Sequence, residues 1–390
     1  TLLDNLLDNI ELYLKLEFFQ HTGTFKARGA LSVANSLSED RKKYGITAAS
    51  AGNHAIAASW AAKKIGVSAK VFMGATANPY RISLAKAQGA EVQIIDDWSS
   101  VFKAAEKAVK EEKRTFIHPF DGINTSLGTA GIGLELIEEI PNLDAVIVSI
   151  GGGGLISGIA TSIKLINPNC MIYGVEPEGA DAMYQSFLTG GPIPKSKQES
   201  IVDSLSPPMT LPYSYSLCRK YVDEIVTLSD DEICASLVYF QEEAKLAVEP
   251  AAAATLSAVL GPLKQKLSGK KVGLIICGAN IDSKSYLELL ERGNQYLGNW
   301  NYVFRFKVLF TNQTPDEVIQ NPIKPINPSF SWKITKPKKA VTKGHRKKRL
   351  AVFAISPLLI NIIKILIAPI ETGKIKYNID KTKLSDKLNL

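Results

Sequence analysis

Cysteine is sparse in this chain and never clustered. The four cysteines, Cys170, Cys218, Cys234 and Cys277, stand far apart, with no Cys-x-x-Cys and no Cys/His ligand cluster. Neither a disulfide scaffold nor a zinc site is indicated, and a reducing compartment, the cytoplasm, is the expectation. A run long enough to span a membrane is also lacking, except at residues 350–370. Pro357, Asn361, Lys364 and Pro369 interrupt that stretch, and a central lysine is costly in lipid, so no membrane partner is expected. Nor does a basic balance extend along the chain. The net charge of +8 conceals a tail from Asn294 with 18 Lys and Arg against 5 Asp and Glu. That tail carries about +13 and leaves the preceding residues at about −5. Nucleic-acid binding by the main body is not supported.

What is present suits a soluble globular protein: 45% apolar and 22% charged residues. A chain of 390 residues has room for two or three domains with a large core. Up to Gly293, short apolar and β-branched runs alternate with helical patterns. Residues 46–48, 69–72, 92–95, 145–150, 172–175, 224–227 and 272–276 read as buried parallel strands, with a further short strand at 14–17. Between them, Asn53–Lys64 is Ala-rich, 81–88 precedes a Gly stop, and Val101–Glu112 shows i, i+4 charge pairs. Residues 230–245 open on Asp-Asp-Glu, suited to a helix N-terminus. The alternation predicts an α/β fold with a mainly parallel sheet. The expected division is a large domain of residues 1–44 and 121–293, a small α/β domain of 45–120, and a tail of 294–390. The tail is rich in Asn, Ile and Lys and punctuated by prolines. It reads as disordered, or as read-through of AT-rich DNA, rather than as a folded domain.

Four clusters carry chemistry. Gly151, Gly152, Gly153 and Gly154 follow one strand run and precede Leu155-Ile156-Ser157. Four glycines bury no side chain and lose much backbone entropy on folding. Such a run serves where backbone N–H groups must approach something closely, and between a strand and a helix that is usually an anion at the positive helix end. A flexible turn is the plainer alternative. Lys26 lies in His21-Thr22-Gly23-Thr24-Phe25-Lys26-Ala27-Arg28-Gly29-Ala30, where a helix begins. A solvated surface lysine and a desolvated lysine fit for Schiff-base chemistry are both compatible with that setting. Ser50-Ala51-Gly52-Asn53-His54 forms another strand-to-helix turn, whose amides suit a carboxylate, with Asn53 alternatively a helix cap. Cys277-Gly278-Ala279-Asn280 follows the last strand, where small residues suit a ligand crevice, although a lone cysteine there is more often core.

In this order the clusters resemble the fold-type II pyridoxal-5′-phosphate enzymes, and among them the threonine/serine dehydratases (ammonia-lyases), over residues 14–293. The resemblance implies a tryptophan-synthase-β-like fold of two open, twisted, mainly parallel sheets flanked by helices, with pyridoxal 5′-phosphate in the cleft between them. It implies that Lys26 joins the cofactor as a Schiff base, that Phe25 lies beside the cofactor ring, and that Asn53 bonds the ring hydroxyl. Ser50, Ala51, Gly52, Asn53 and His54 would bind the substrate carboxylate through backbone N–H groups. Gly151, Gly152, Gly153 and Gly154, with Leu155, would hold the phosphate, and Cys277 would face the pyridine nitrogen. Glu249 matches a position near the cofactor, and Glu176 is a weak candidate for a cation site. The implied activity is β-elimination from L-threonine or L-serine to a 2-oxo acid and ammonia, in a homo-oligomer. Two alternatives stand beside it: elimination on a related amino acid such as 3-hydroxyaspartate, and an inactive incomplete copy.

Some residues depart from the family pattern. Ala51 stands where serine racemases carry a serine, which argues against a dedicated racemase. Ala182 replaces an acidic residue that some relatives use for divalent cations. Leu127-Gly128-Thr129-Ala130-Gly131 and Ser204 differ from the usual family residues and suggest a distinct subgroup. The resemblance also implies that roughly 30 to 50 residues of the large domain precede Thr1 in relatives.

Overall fold

The short β-branched runs assemble into two sheets, and every strand pairing in both is parallel. The computed structural model describes residues 7, 9–50, 52–97, 100–194 and 198–299. The apolar stretch at 350–370 and nearly all of the basic tail lie outside the described residues. Among the described residues, no helix is long and apolar enough to cross a membrane.

The four-stranded sheet comprises β2 (Ile46–Ala49), β3 (Ala69–Gly74), β4 (Glu91–Ile95) and β5 (Thr115–Phe116) in the order β4-β3-β2-β5. The five-stranded sheet comprises β1 (Glu11–Leu16), β6 (Ala145–Ser149), β7 (Met171–Pro177), β8 (Glu224–Leu228) and β9 (Lys271–Ile276) in the order β1-β9-β6-β7-β8. β6 is buried along its whole length, as a central strand covered on both faces must be. The main core surrounds this sheet, with Ile147 of β6 packed among Ile156, Ile159 and Ile163. A second apolar cluster, including Ile46, Ile56 and Met73, covers the smaller sheet.

The helices follow in chain order. They include α1 (Lys26–Asn35), α2 (Glu39–Lys42), α3 (Asn53–Lys64), α4 (Pro79–Ala87), α5 (Val101–Glu112), α6 (Ile123–Glu139) and α7 (Gly154–Ile166). Then come α8 (Ala182–Thr189), α9 (Pro212–Tyr221), α10 (Asp230–Tyr239), α11 (Pro250–Leu260), α12 (Lys264–Leu267) and α13 (Ser283–Asn299). Helix α10 opens on a capping box between Ser229 and Glu232 and passes into a π-helical turn, Phe240–Ala244, where the sequence reads as one longer helix. Helix α13 runs across residue 293, where the composition changes.

Helices α1, α6 and α7 pack nearly backbone to backbone. A Cβ on Gly128 of α6 would fall 2.7 Å from the Cα of Gly29, and one on Gly158 of α7 would fall 2.6 Å from the amide nitrogen of Ala130. The unusual Gly128 therefore serves close helix packing. Arg28 fastens α1 by forking onto two carboxylates, Glu17 at 2.7 and 2.8 Å and Glu135 at 2.7 Å.

Candidate active site

Three of the four chemical clusters lie just beyond the carboxyl end of a parallel strand. Ser50 follows β2, Gly151 follows β6, and Cys277 follows β9. This is where open α/β sheets form ligand crevices. Between the two sheets these ends enclose one cavity, lined by Phe25, Lys26, Ser50, Gly52, Asn53, His54, Gly151, Gly152, Gly153, Gly154, Leu155, Glu249 and Cys277. Residues separated by up to 252 positions thus meet there. Ala51 lies outside the described residues.

Lys26 reaches the cavity through a short irregular path. From β1 the chain makes two 3-10 turns, Glu17–Phe19 and His21–Gly23. Thr24 then bridges to Gly278, and the amide of Phe25 donates to the Cys277 carbonyl at 3.0 Å. Helix α1 begins at Lys26, whose amide donates to Thr24 Oγ1 at 2.9 Å. The side-chain amine donates to the Pro119 carbonyl at 2.6 Å and lies 4.9 Å from the centre of the Phe25 ring. Desolvation lowers its pKa to about 8, opposed by the Cys277 and Glu249 side chains.

The glycine run forms a tight bend at the N-terminus of α7. Gly153 takes a φ of 91°, a left-handed conformation that disfavours other residues. The Phe120 ring lies across Gly152 and leaves no space for a Cβ. Backbone N–H groups at this positive helix end make a cup for an anion.

On the facing side, Gly52 precedes α3, and Ser50 Oγ accepts the Gly52 amide at 3.0 Å. Asn53 does not cap this helix. Its amide nitrogen donates to both Glu249 oxygens at 2.9 Å, and its oxygen accepts from Asn280 Nδ2 at 2.9 Å. His54 is buried with Nε2 at 2.8 Å from the Ile117 carbonyl, which requires the proton on that nitrogen. Burial, then the Lys26 charge, lowers its pKa to about 3. His118 is lowered to about 4 for the same two reasons. Both rings are neutral near pH 7. Burial, with the Glu249 charge nearby, pushes the Cys277 thiol up, so it stays protonated.

Glu176 lies outside the cavity. Its two oxygens accept the Met183 and Tyr184 amides at 2.9 and 2.7 Å, and burial raises its pKa to about 8. Asp181 accepts from the side chain of Gln185, and Ala182 is buried. Among the described residues, no group of three or more His, Cys, Asp or Glu side chains could hold a metal ion.

The structure adds residues that sequence reasoning missed: Arg81, Phe102, Pro119, Phe120, Asp203, Pro207 and Pro208 also line the cavity. One signal pointed to Arg81. A cation in the first turn of α4 opposes the helix dipole and so needs partners elsewhere.

The donor set fits pyridoxal 5′-phosphate: an enclosed amine of lowered pKa, an amide-lined cup for phosphate, and a neutral thiol. It also sets a pH dependence. Only the neutral amine attacks an aldehyde. Cofactor uptake by cofactor-free protein should therefore speed up about tenfold per pH unit below pH 8 and level off above it. Stopped-flow absorbance checks this, and a rate flat between pH 6 and 8 would contradict it.

The comparisons with known proteins agree. The family described as pyridoxal-phosphate dependent enzyme matches residues 2–278, so the chain belongs to that family and its cofactor is pyridoxal phosphate. Its relatives place it among the ammonia-lyases and dehydratases. The chain is 48% identical over 279 residues to a phenylserine dehydratase of Ralstonia pickettii, covering 72% of this chain and 86% of that one. It is 36% identical to an L-threonine ammonia-lyase of Thermotoga maritima, covering 73% and 70%. The structure of maize serine racemase superposes with a TM-score of 0.69 at 31% identity, covering 76% of this chain and 91% of that one.

Proposed function

We propose that this chain removes water from a β-hydroxy-α-amino acid, L-threonine or L-serine, and releases a 2-oxo acid and ammonia. The observation that carries the reading is the enclosed Lys26 amine with its lowered pKa, sharing one cavity with the glycine cup. When bound, pyridoxal phosphate supplies an electron sink for negative charge at the substrate Cα. The protein's own residues do the rest. Lys26 Nζ takes the Cα proton. The amides of Gly151, Gly152, Gly153, Gly154 and Leu155 hold the phosphate at the positive end of α7. The backbone of Ser50, Gly52, Asn53 and His54 holds the substrate carboxylate at the start of α3. Cys277, a neutral thiol, would not hold a pyridine nitrogen protonated as a carboxylate would, so charge at Cα would be better relieved by losing the β-hydroxyl. Purified protein should release 2-oxo acid from β-hydroxy amino acids and carry visible cofactor absorbance. Absence of both refutes the reading.

Two alternatives lose support. Ala51 carries no side-chain proton to deliver to the opposite face of Cα, as racemisation would need. A 3-hydroxyaspartate side chain needs a cation, yet the only guanidinium among the described lining residues, Arg81, already donates to Asp203 and Glu249.

One observation favours a bulkier substrate as a second reading. Phe102, Phe120, Pro207 and Pro208 line the cavity. Their wall continues inward as touching rings, from Phe102 to Phe116 and His118 and on to Phe120. His118 is uncharged there, and an aryl group on Cβ would meet the Phe102 and Phe120 rings at the cavity wall. The 48% identical phenylserine dehydratase points the same way. Covering an aryl ring contributes about 1.5–3 kcal/mol. On this reading Phe102→Ala raises KM for phenylserine about tenfold or more and leaves that for threonine within about twofold. Equal changes for both substrates would remove it.

A further inference from the structure

We propose that Arg81 is a positioning residue that sets, through Glu249, the side-chain amide of Asn53 in the cavity wall and ties the two sheets together across the cavity. The proposal rests on the cofactor site described above. Arg81 belongs to helix α4 of the four-stranded sheet and is 7% exposed. All three of its donor groups reach across to the five-stranded sheet. Nε donates to the Asn280 carbonyl beyond β9 at 3.0 Å. Nη2 donates to Glu249 Oε1 at 2.8 Å, and Nη1 donates to Asp203 in the turn Asp203–Leu205. Gly52 makes room for the crossing, since a Cβ there would fall 2.6 Å from Arg81 Cδ.

The inner limb ends on Asn53. Glu249 is 1% exposed, and a carboxylate so buried needs a charged partner to keep its position. Arg81 is that partner, and both Glu249 oxygens take the Asn53 amide at 2.9 Å. Asn280 closes the ring, because its backbone accepts from Arg81 and its side chain donates to the Asn53 oxygen at 2.9 Å. The Asn53 amide is thereby held in one orientation from both ends. The outer limb differs: Asp203 is exposed at the cavity edge, its side chain 59% accessible. That bond holds α4 against the turn beyond β7 and so governs closure over a substrate.

The two limbs separate by experiment. Arg81→Lys keeps the charge but not the fork, so Glu249 and Asp203 cannot both be held. Its Kd for pyridoxal phosphate, read by absorbance titration of cofactor-free protein, should rise at least tenfold while the unfolding midpoint changes little. Asp203→Asn weakens only the outer limb. It should raise KM for the amino-acid substrate at least fivefold and leave the cofactor Kd within twofold. If Arg81→Lys does not fold, Glu249→Gln weakens the inner bond without stranding a buried charge, and the same tenfold loss of cofactor affinity is expected. A cofactor Kd within twofold of wild type in the inner-limb variant overturns the proposal. So does an equal loss of cofactor affinity in Asp203→Asn. Wild-type protein that binds cofactor but forms no 2-oxo acid would instead count against the proposed reaction and leave the Arg81 result standing.

Discussion

Lys26→Ala should lower the rate of 2-oxo acid formation by at least about 1000-fold and abolish the visible absorbance of bound cofactor. No neighbour can replace the amine. Two histidines share its surroundings: His54, whose Nε2 proton is committed to Ile117, and His118, turned to the backbone amides of Phe120 and Asp121. Arg81 is shared between two carboxylates, and the Glu249 oxygens are occupied by Arg81 and Asn53. The fold should survive. Removing Lys26 takes away an amine that its surroundings desolvate, and the one bond lost is that to the Pro119 carbonyl. A net hydrogen bond contributes about 1 kcal/mol, so the denaturant midpoint should move little. Residual turnover above about 1% of wild type would mean that another group takes the Cα proton.

Much of the frame was legible because buried parallel strands leave short, largely apolar runs in a sequence. Residues 46–48, 69–72, 145–150 and 272–276 show this, and each falls on a strand with at most one residue left over. Strand β1 was harder. Glu11, Tyr13 and Lys15 interrupt its apolar pattern, and the strand runs Glu11–Leu16 rather than 14–17. Strand β5, two residues long, carries no periodicity at all. The same contrast holds in the cavity. Asn53, the glycines and Cys277 sit just beyond strand ends and Lys26 opens a helix, all in places where local sequence marks a turn. Arg81, Phe102 and Asp203 sit within a helix, near a helix start and in a 3-10 turn. Nothing local distinguishes Phe102 or Asp203, the misplaced first-turn cation marks Arg81 only as needing a partner, and only the crossing of two sheets brings positions 81, 203 and 249 into contact.

The four adjacent glycines look interchangeable in sequence, yet Gly154→Ala should be far more damaging than Gly151→Ala. A Cβ on Gly154 would fall 2.7 Å from the Cα of Phe120 and 2.8 Å from its carbonyl carbon. Those are backbone atoms of the segment that also supplies Pro119, the acceptor for Lys26, so they cannot yield without moving the amine. A Cβ on Gly151 meets the Ser204 carbonyl at 3.3 Å and the Leu205 Cα at 3.4 Å, close enough to need only a small adjustment. Overpacking a rigid site costs about 1–3 kcal/mol and occasionally more, and alanine's helix preference at the start of α7 returns about 1 kcal/mol at most. Gly154→Ala should therefore lower stability by about 2 kcal/mol and weaken cofactor binding by at least about 100-fold, because the segment pushed aside holds the lysine and the ring over the cup. Gly151→Ala should stay within about 1 kcal/mol of wild type and bind cofactor within about tenfold. Denaturant unfolding and cofactor titration of the two variants test this directly. Equal losses would mean that the run serves only as a flexible bend; a loss confined to Gly154 would show that Phe120 shapes the phosphate cup and the lysine's seat together.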